Sequence, residues 1–224
     1  MAANLARLID ALIRHDGEPP ATLTDPYAIV LHENAGYLIP DERRDDVYAR
    51  LNVLAPDPAA LLGADHGALL ALARDGGMRP EERVERWREI AEITLEEADG
   101  DLLGTLRSLP LTRAKKLLAR YPLIGAPGVD RILLFSGIAV VPSIDSNGLR
   151  VLERYGVVAK GLAYARAYRE ACAALAGVFG AHAESLRRAY GVLRRHGKTI
   201  CRNARPECPR CPVAKTCPSR TVRP

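Results

Sequence analysis

The sequence predicts an all-α protein. Apolar residues recur at intervals of three and four along most of the chain, as in "NLARLIDALIRH", where Leu5, Leu8, Ile9 and Leu12 share one stripe. Proline and aspartate stand where several of these segments begin, and no stretch alternates strictly between apolar and polar residues. Because the connections between segments are also short, we expect about ten helices and no sheet.

The helical segments follow one another in a clear order. The second, "TDPYAIVLHENAGYL", opens with Thr24 or Asp25 as N-cap and has Pro26 in its first turn. Later segments end at turn residues such as glycine, and no fixed-period repeat is present. They are "DERRDDVYARLNVL", "HGALLALARDGG", "RPEERVERWREIAEITLEEA", "DLLGTLRSL", "TRAKKLLARY", "DRILLFSGIA", "SNGLRVLERYG", "KGLAYARAYREACAALAGVFG" and "AESLRRAYGVLRRHGKTIC".

Charge and composition limit the classes of function. The 224 residues are 48% hydrophobic, with no signal-peptide pattern and no apolar run long enough to span a bilayer, so we expect a cytoplasmic protein without a membrane partner. Between Arg187 and Pro224 there are eleven Lys or Arg and one acid, Glu207, a balance of +10; since the whole chain is +5, the first 186 residues sum to −5. This basic C-terminal region predicts a polyanionic partner.

Four cysteines close the chain, at Cys201, Cys208, Cys211 and Cys217, while Cys172 lies on an Ala-rich helix and is expected to be core. A disulfide pair, a zinc site and an iron–sulfur cluster are the three alternatives. Reduced cytosolic thiols disfavour the disulfides. Four thiolates select zinc or iron–sulfur, and the uneven gaps of six, two and five residues suit a body several ångströms wide. Spacing alone leaves zinc open.

The segment "HGKTICRNARPECPRCPVAKTC" resembles the C-terminal cluster loop of the endonuclease III family of DNA glycosylases, including His196–Gly197 before the first cysteine. That resemblance implies a [4Fe–4S] cluster held for structure and not for activating water. It also implies that the loop presents basic side chains to DNA phosphates. These are Lys198, Arg202, Arg205 and Arg210.

The same family carries a helix–hairpin–helix upstream, and "LLARYPLIGAPGVDRILLF" is similar to it. An apolar helix is followed by a turn through Gly125, Pro127 and Gly128 and then by a second apolar helix. Glycine in such a turn lets backbone N–H groups approach a phosphate. The resemblance therefore predicts DNA contacts at Gly125 and Gly128, with Arg131 on the second helix as a further contact.

An aspartate is expected shortly after the hairpin, where the family has a "VDTH"-like segment, and Asp145 in "PSIDSNGLRVLERYG" matches it. The alternative is that Asp145 is an ordinary helix N-cap. As a catalytic group, a carboxylate stabilises the oxocarbenium character that develops when an N-glycosidic bond breaks, and it orients water. The base must first leave the stack, which requires a pocket and an inserted side chain.

Bifunctional family members place a lysine at the start of the second hairpin helix. Here that position falls on Val129 if Gly125 is the first hairpin glycine, or on Ile132 if Gly128 is. Lys115 and Lys116 lie on the preceding helix. The sequence therefore favours a monofunctional glycosylase.

The segment "DPYAIVLHENAGYLIPDERR" resembles the part of the family that lines the base pocket. Glu33 holds the place of the glutamate that protonates the departing base in the adenine- and mismatch-specific branches; the alternative is a surface glutamate. Tyr37 is a candidate wedge or stacking residue. Because the sequence stops seven residues after Cys217, we do not expect the additional domain of the adenine branch.

We therefore expect two helical lobes with a DNA cleft between them. One is a helical barrel over 24–137 that includes the hairpin, and the other combines 1–23 with 138–224 and holds the [4Fe–4S] cluster. The expected function is base excision repair by a monomeric, nucleoid-associated glycosylase acting on double-stranded DNA with a lesion or mismatch. The alternatives are a bifunctional glycosylase/AP lyase and a catalytically silent iron–sulfur DNA-binding protein.

Overall fold

The computed structural model describes residues 2–221, and helices account for most of this range. The prediction of an all-α fold is confirmed: these residues form twelve α-helices, α1 to α12, and their only β feature is an isolated bridge between Tyr37 and Gly77. None of these helices is both long and apolar enough to traverse a lipid bilayer. In chain order they are Ala2–Asp16, Pro26–Asn34, Asp41–Leu54, Pro58–Gly63, His66–Asp75, Pro80–Ala98, Leu102–Ser108, Leu111–Leu118, Ala126–Phe135, Ser146–Tyr155, Tyr164–Phe179 and Ala183–Thr199.

Aspartate N-caps explain where several helices begin. In each case the carboxylate accepts a hydrogen bond from the backbone N–H three residues later, at Asp25, Asp57, Asp65, Asp101 and Asp145. Asp25, not Thr24, therefore caps α2. The six-residue helix α4 was not predicted, although Asp57–Pro58 repeats the Asp25–Pro26 signal of α2.

The chain divides into two compact units. The first in sequence is Leu23–Ala139. Its centre is α6, which contacts α2, α4, α5 and α7. Trp87 on α6 is fully buried, and its indole Nε1 donates a hydrogen bond to the carbonyl of Asn34 at 3.2 Å. This contact fixes the end of α2, the helix that carries Glu33.

The second unit comprises the described parts of Met1–Thr22 and Val140–Pro224. Helix α12 packs against α1, α10 and α11, and it leads directly into the cysteine-containing segment. The contact between α10 and α12 is very close at Gly197, where a Cβ atom would lie 2.4 Å from the carbonyl oxygen of Asn147. The glycine next to His196 therefore allows the two helices to approach.

Arg83 is a buried charge that the sequence pattern did not predict. Its side chain is fully buried on α6 and donates to the carbonyls of Ala73 at 2.7 Å and Met78 at 2.9 Å. We expect Arg83→Leu to lower the free energy of unfolding by about 3 kcal/mol or more, because these buried carbonyls lose charge-assisted hydrogen bonds. Urea denaturation measures the change.

The matched control for this variant is Arg86→Leu on the same helix, where the arginine makes an i,i+4 ion pair with Glu82 at 3.6 Å. Its cost is expected to stay below about 1 kcal/mol. Equal losses for Arg83→Leu and Arg86→Leu would contradict the assigned role of Arg83.

Candidate functional site

Asp145 lies at the N-terminus of α10, and both of its carboxylate oxygens are held. Oδ1 accepts from the backbone N–H of Gly148 at 2.7 Å, and Oδ2 accepts from Asn147 Nδ2 at 2.9 Å. The guanidinium Nε of Arg194 is 3.5 Å from Oδ2, and the aspartate side chain remains 21% exposed. The N-cap alternative is therefore correct as a description of the local structure. It is compatible with catalysis, since it leaves an oriented carboxylate with an accessible edge.

A hydrogen-bonded path connects this carboxylate with the segment that bears the cysteines. Asn147 donates to Asp145, and its own Oδ1 accepts from Arg150 Nη2 at 3.0 Å. Arg150 also donates to the carbonyl of Gly197 at 2.7 Å and to that of Cys201 at 3.1 Å. Burial lowers the pKa of Arg150, and the nearby Arg154 lowers it further. The position of the cysteine segment and the orientation of Asp145 are thus coupled through Arg150.

The four C-terminal cysteines line one common cavity. Arg154 holds both ends of the segment around this cavity: its guanidinium donates to the carbonyls of Arg202 at 2.7 Å and Asn203 at 2.8 Å, while its own carbonyl accepts from Ser219 Oγ at 2.6 Å. The sequence spacing did not identify Arg154, because its contacts with the segment span 47 residues or more.

The chemistry of the cavity fits a bound metal centre. The pKa of the Cys211 thiol is raised to about 11, chiefly by burial and also by the neighbouring cysteine sulfurs. Four thiolates would repel one another here unless a cationic group lay between them. Among the residues described, no three His, Cys, Asp or Glu side chains are arranged to hold a single metal ion. Four thiolates around a shared cavity are a ligand set for either a zinc ion or an iron–sulfur cluster.

His196 and Asp16 form an outer layer next to this cavity. The buried imidazole places Nε2 3.5 Å from Cys211 Sγ and Nδ1 3.7 Å from Asp16 Oδ2. Asp16 comes from the C-terminal end of α1, so the first helix of the chain reaches the cysteine segment through one histidine. Outer groups of this kind orient metal ligands and tune their basicity.

The turn of the hairpin differs from its prediction. Gly125 is the N-cap of α9 with an ordinary φ of −81°, and the left-handed residue is Leu123, at φ 61°. Gly128 lies inside the first turn of α9 and Leu123 is exposed. Backbone N–H groups at the start of α9 remain suitable for a phosphate, but glycine does not provide the left-handed position here.

Bifunctional family members would carry a lysine at one of two positions, and here both hold buried apolar side chains, Val129 and Ile132. Counting four residues from Leu123 instead of from Gly125 reaches Pro127, again not an amine. One amine does lie against α9, since Lys115 Nζ on α8 is 2.8 Å from Asp130 Oδ1.

Glu33 and Arg131, predicted separately as a catalytic acid and a phosphate contact, form an ion pair with each other. The Arg131 guanidinium also lies 5.9 Å from the centroid of the Phe135 ring, and both partners are only partly exposed. A neighbouring guanidinium favours the ionised form of a carboxylate. Donation of a proton by Glu33 would therefore require this pair to separate. The two predicted roles remain predictions.

Tyr37 lies in an exposed apolar tip that sequence reasoning found only in part. The tip comprises Tyr37, Leu38 and Met78; Leu38 is 77% exposed at φ 56°, and Met78 is 61% exposed. The backbone N–H of Tyr37 donates to the carbonyl of Gly76 at 3.0 Å and joins the two loops. Leu38 and Met78 could have been recognised in the sequence as apolar residues within the turn segments "AGYLIP" and "DGGMRP".

The basic residues predicted for DNA differ in their surroundings. Lys198 is half-buried and Arg205 is exposed. Arg202 and Arg210 both pair with Glu207.

Comparison with known proteins supports the fold. No family model matches the chain, and no curated protein matches it in sequence. Among solved structures, it is similar to a trapped covalent intermediate of endonuclease III with DNA in an estranged-adenine complex, with TM-score 0.77, 14% identity and coverage of 98% of this chain and 96% of that one. It is also similar to a non-covalent endonuclease III–DNA complex, with TM-score 0.77, 13% identity and coverage of 98% and 96%.

A thermostable thymine-DNA glycosylase is a third similar structure, with TM-score 0.75, 16% identity and coverage of 97% of this chain and 96% of that one. The fold is therefore that of endonuclease III and of this thymine-DNA glycosylase. The resemblance inferred from the cysteine motif is confirmed at the level of the fold.

Proposed function

We propose that this protein excises a damaged or mismatched base from duplex DNA by hydrolysing the N-glycosidic bond. The observation that carries the proposal is Asp145, a fixed and accessible carboxylate on this fold that is hydrogen-bonded through Asn147 and Arg150 to the cysteine segment. The similar structures are endonuclease III bound to DNA and a thymine-DNA glycosylase, which supports DNA as the partner.

In this proposal Asp145 stabilises positive charge on the sugar and orients the attacking water. The hydrogen bonds from Gly148 and Asn147 fix its position, so no side-chain reorganisation is needed when charge develops. Arg194, with Nε 3.5 Å from Oδ2, helps to hold the carboxylate in place.

The four cysteines would hold a [4Fe–4S] cluster. When bound, the cluster supplies a rigid centre that neutralises four thiolates and does not activate water. Arg154 and His196 support the ligands from the protein side. By holding the four cysteines together, the cluster would order the basic segment that follows α12.

The exposed apolar tip is proposed to insert into DNA where the base leaves the stack. Leu38 and Met78 offer large apolar side chains at loop ends that the Tyr37–Gly77 bridge holds together. Gly76 permits that contact, since a Cβ there would lie 2.4 Å from the carbonyl oxygen of Ala35. Apolar wedges of this kind unstack base steps.

A monofunctional reaction is the preferred form, because none of the chain's lysines lies on α9. The test uses a panel of duplexes, each with one defined lesion or mismatch, in which alkali-treated and untreated products are compared and borohydride is added in parallel. We expect strand cleavage only after alkali, and no covalent adduct.

An adduct trapped by borohydride would establish the bifunctional alternative and overturn the monofunctional proposal. Lys115, whose Nζ pairs with Asp130 on α9, is then the residue to replace. The absence of excision from every duplex, with DNA binding retained, would favour the catalytically silent DNA-binding protein.

A further inference from the structure

Glu207 is the only acidic residue between Arg187 and Pro224. It lies within the cysteine segment, one residue before Cys208, where its backbone N–H donates to the carbonyl of Ile200 at 2.8 Å. Its backbone is therefore fixed within a basic segment.

Each oxygen of the Glu207 carboxylate contacts a different arginine. Oε1 pairs with Arg202 Nη2, and Oε2 pairs with Arg210 Nη1 at 2.5 Å. The two arginine side chains are 51% and 70% exposed, so solvent and large ligands reach them. In the described part of the segment, no ion pair is found for Arg205, which is also exposed.

We propose that Glu207 competes with DNA phosphates for Arg202 and Arg210 and thereby limits the affinity of the protein for undamaged duplex. This inference rests on the proposed function, because DNA is taken as the partner. Exposed ion pairs are weak, so a phosphate can displace the carboxylate. The displaced Glu207 then lies as a negative charge close to the DNA backbone and reduces the gain from the new contacts.

Such competition suits a protein that must examine long stretches of undamaged duplex. Phosphate contacts provide most of the affinity for non-specific DNA, and each added contact slows release. An internal carboxylate that substitutes for phosphate lets the protein leave undamaged sites while it keeps a basic surface.

The test compares Glu207→Gln with Glu170→Gln in the full, metal-loaded chain, by fluorescence anisotropy on an undamaged duplex over a series of salt concentrations. Glu170 pairs with Arg166 at 3.1 Å on α11, so both variants remove one carboxylate from an exposed ion pair and change the net charge equally. We expect Glu207→Gln to bind about tenfold more tightly at low salt and Glu170→Gln to change affinity by less than about twofold. The difference in DNA affinity between the two variants should become smaller as the salt concentration rises.

Two further measurements make the test specific. In a background of Arg202→Gln with Arg210→Gln, the gain from Glu207→Gln should disappear, because no arginine is left to release. In the wild-type background, Arg205→Gln should weaken binding more than either Arg202→Gln or Arg210→Gln. This second comparison does not depend on the folding of the Glu207 variant.

The outcomes separate the inference from the proposed function. Equal affinities for Glu207→Gln and Glu170→Gln, or equal losses for the three arginine variants, would overturn the competition while leaving the glycosylase proposal intact. A wild-type chain that binds neither undamaged nor lesion-bearing duplex at any salt concentration would instead overturn the proposed function.

Discussion

Asp145→Asn is expected to lower the rate of base excision by about 100- to 10,000-fold while the affinity for lesion-bearing DNA changes little. The amide keeps nearly the same shape but carries no charge to stabilise a cationic sugar. Asparagine is also as good an N-cap as aspartate, so α10 should keep its start at Ser146. Single-turnover kinetics with saturating enzyme measure the chemical step without a contribution from binding.

The matched control is Asp65→Asn, at another aspartate N-cap, where the side chain accepts from the backbone N–H of Ala68 at 2.8 Å. It repeats the same chemical change at the start of α5 and should leave excision unaffected. An Asp145→Asn protein that excises bases at the wild-type rate would show that Asp145 serves only to cap α10.

Cys211→Ser should remove the proposed metal centre and unfold the cysteine segment. This segment contains little regular structure besides a 3₁₀ turn at Cys208–Arg210, so it has few backbone hydrogen bonds with which to stay folded alone. Loss of a residue that hydrogen-bonds to a metal ligand typically lowers metal affinity about 10- to 100-fold. Loss of a ligand itself should lower the affinity by more than that. Brief digestion with trypsin, which should cleave after Arg202 in the variant only, reports the loss of order.

Cys172→Ser is the corresponding control, because Cys172 lies on α11, and its sulfur donates to the carbonyl of Pro142 at 3.4 Å. It should leave the segment as resistant to trypsin as it is in the wild type. A Cys211→Ser protein with an equally protected segment and full metal content would show that Cys211 is not a ligand.

Most helix positions could be predicted because their causes are local. Apolar residues at helical spacing define the buried face, and the pairs Asp25–Pro26 and Asp57–Pro58 mark starts through their own backbone geometry. The second of these was missed because α4 has only six residues, too few for a periodic apolar pattern to stand out.

The hairpin turn was harder to predict, since glycine indicates a left-handed residue but does not require one. Leu123 takes that conformation while Gly125 and Gly128 serve as N-cap and first-turn residue. Leu123 does so at a cost of about 1 kcal/mol or more for a non-glycine residue at positive φ, a cost that the local sequence does not reveal.

Side-chain pairing at the candidate site could not be predicted from spacing at all. The Glu33–Arg131 pair joins residues 98 positions apart, and Arg150 contacts residues about 50 positions away. Nothing in the local sequence specifies either contact. The sequence identified Asp145 and the four cysteines as candidates through a family motif. It did not identify Asn147 or Arg154, which hold these residues in place.

In the proposed mechanism a [4Fe–4S] cluster orders the cysteine segment and, through Arg150 and Asn147, the carboxylate of Asp145. The decisive experiment is quantification of iron, acid-labile sulfide and zinc in anaerobically purified protein. We expect about four iron and four sulfide per chain with negligible zinc. One zinc per chain without sulfide, or a folded chain without any metal, would contradict it.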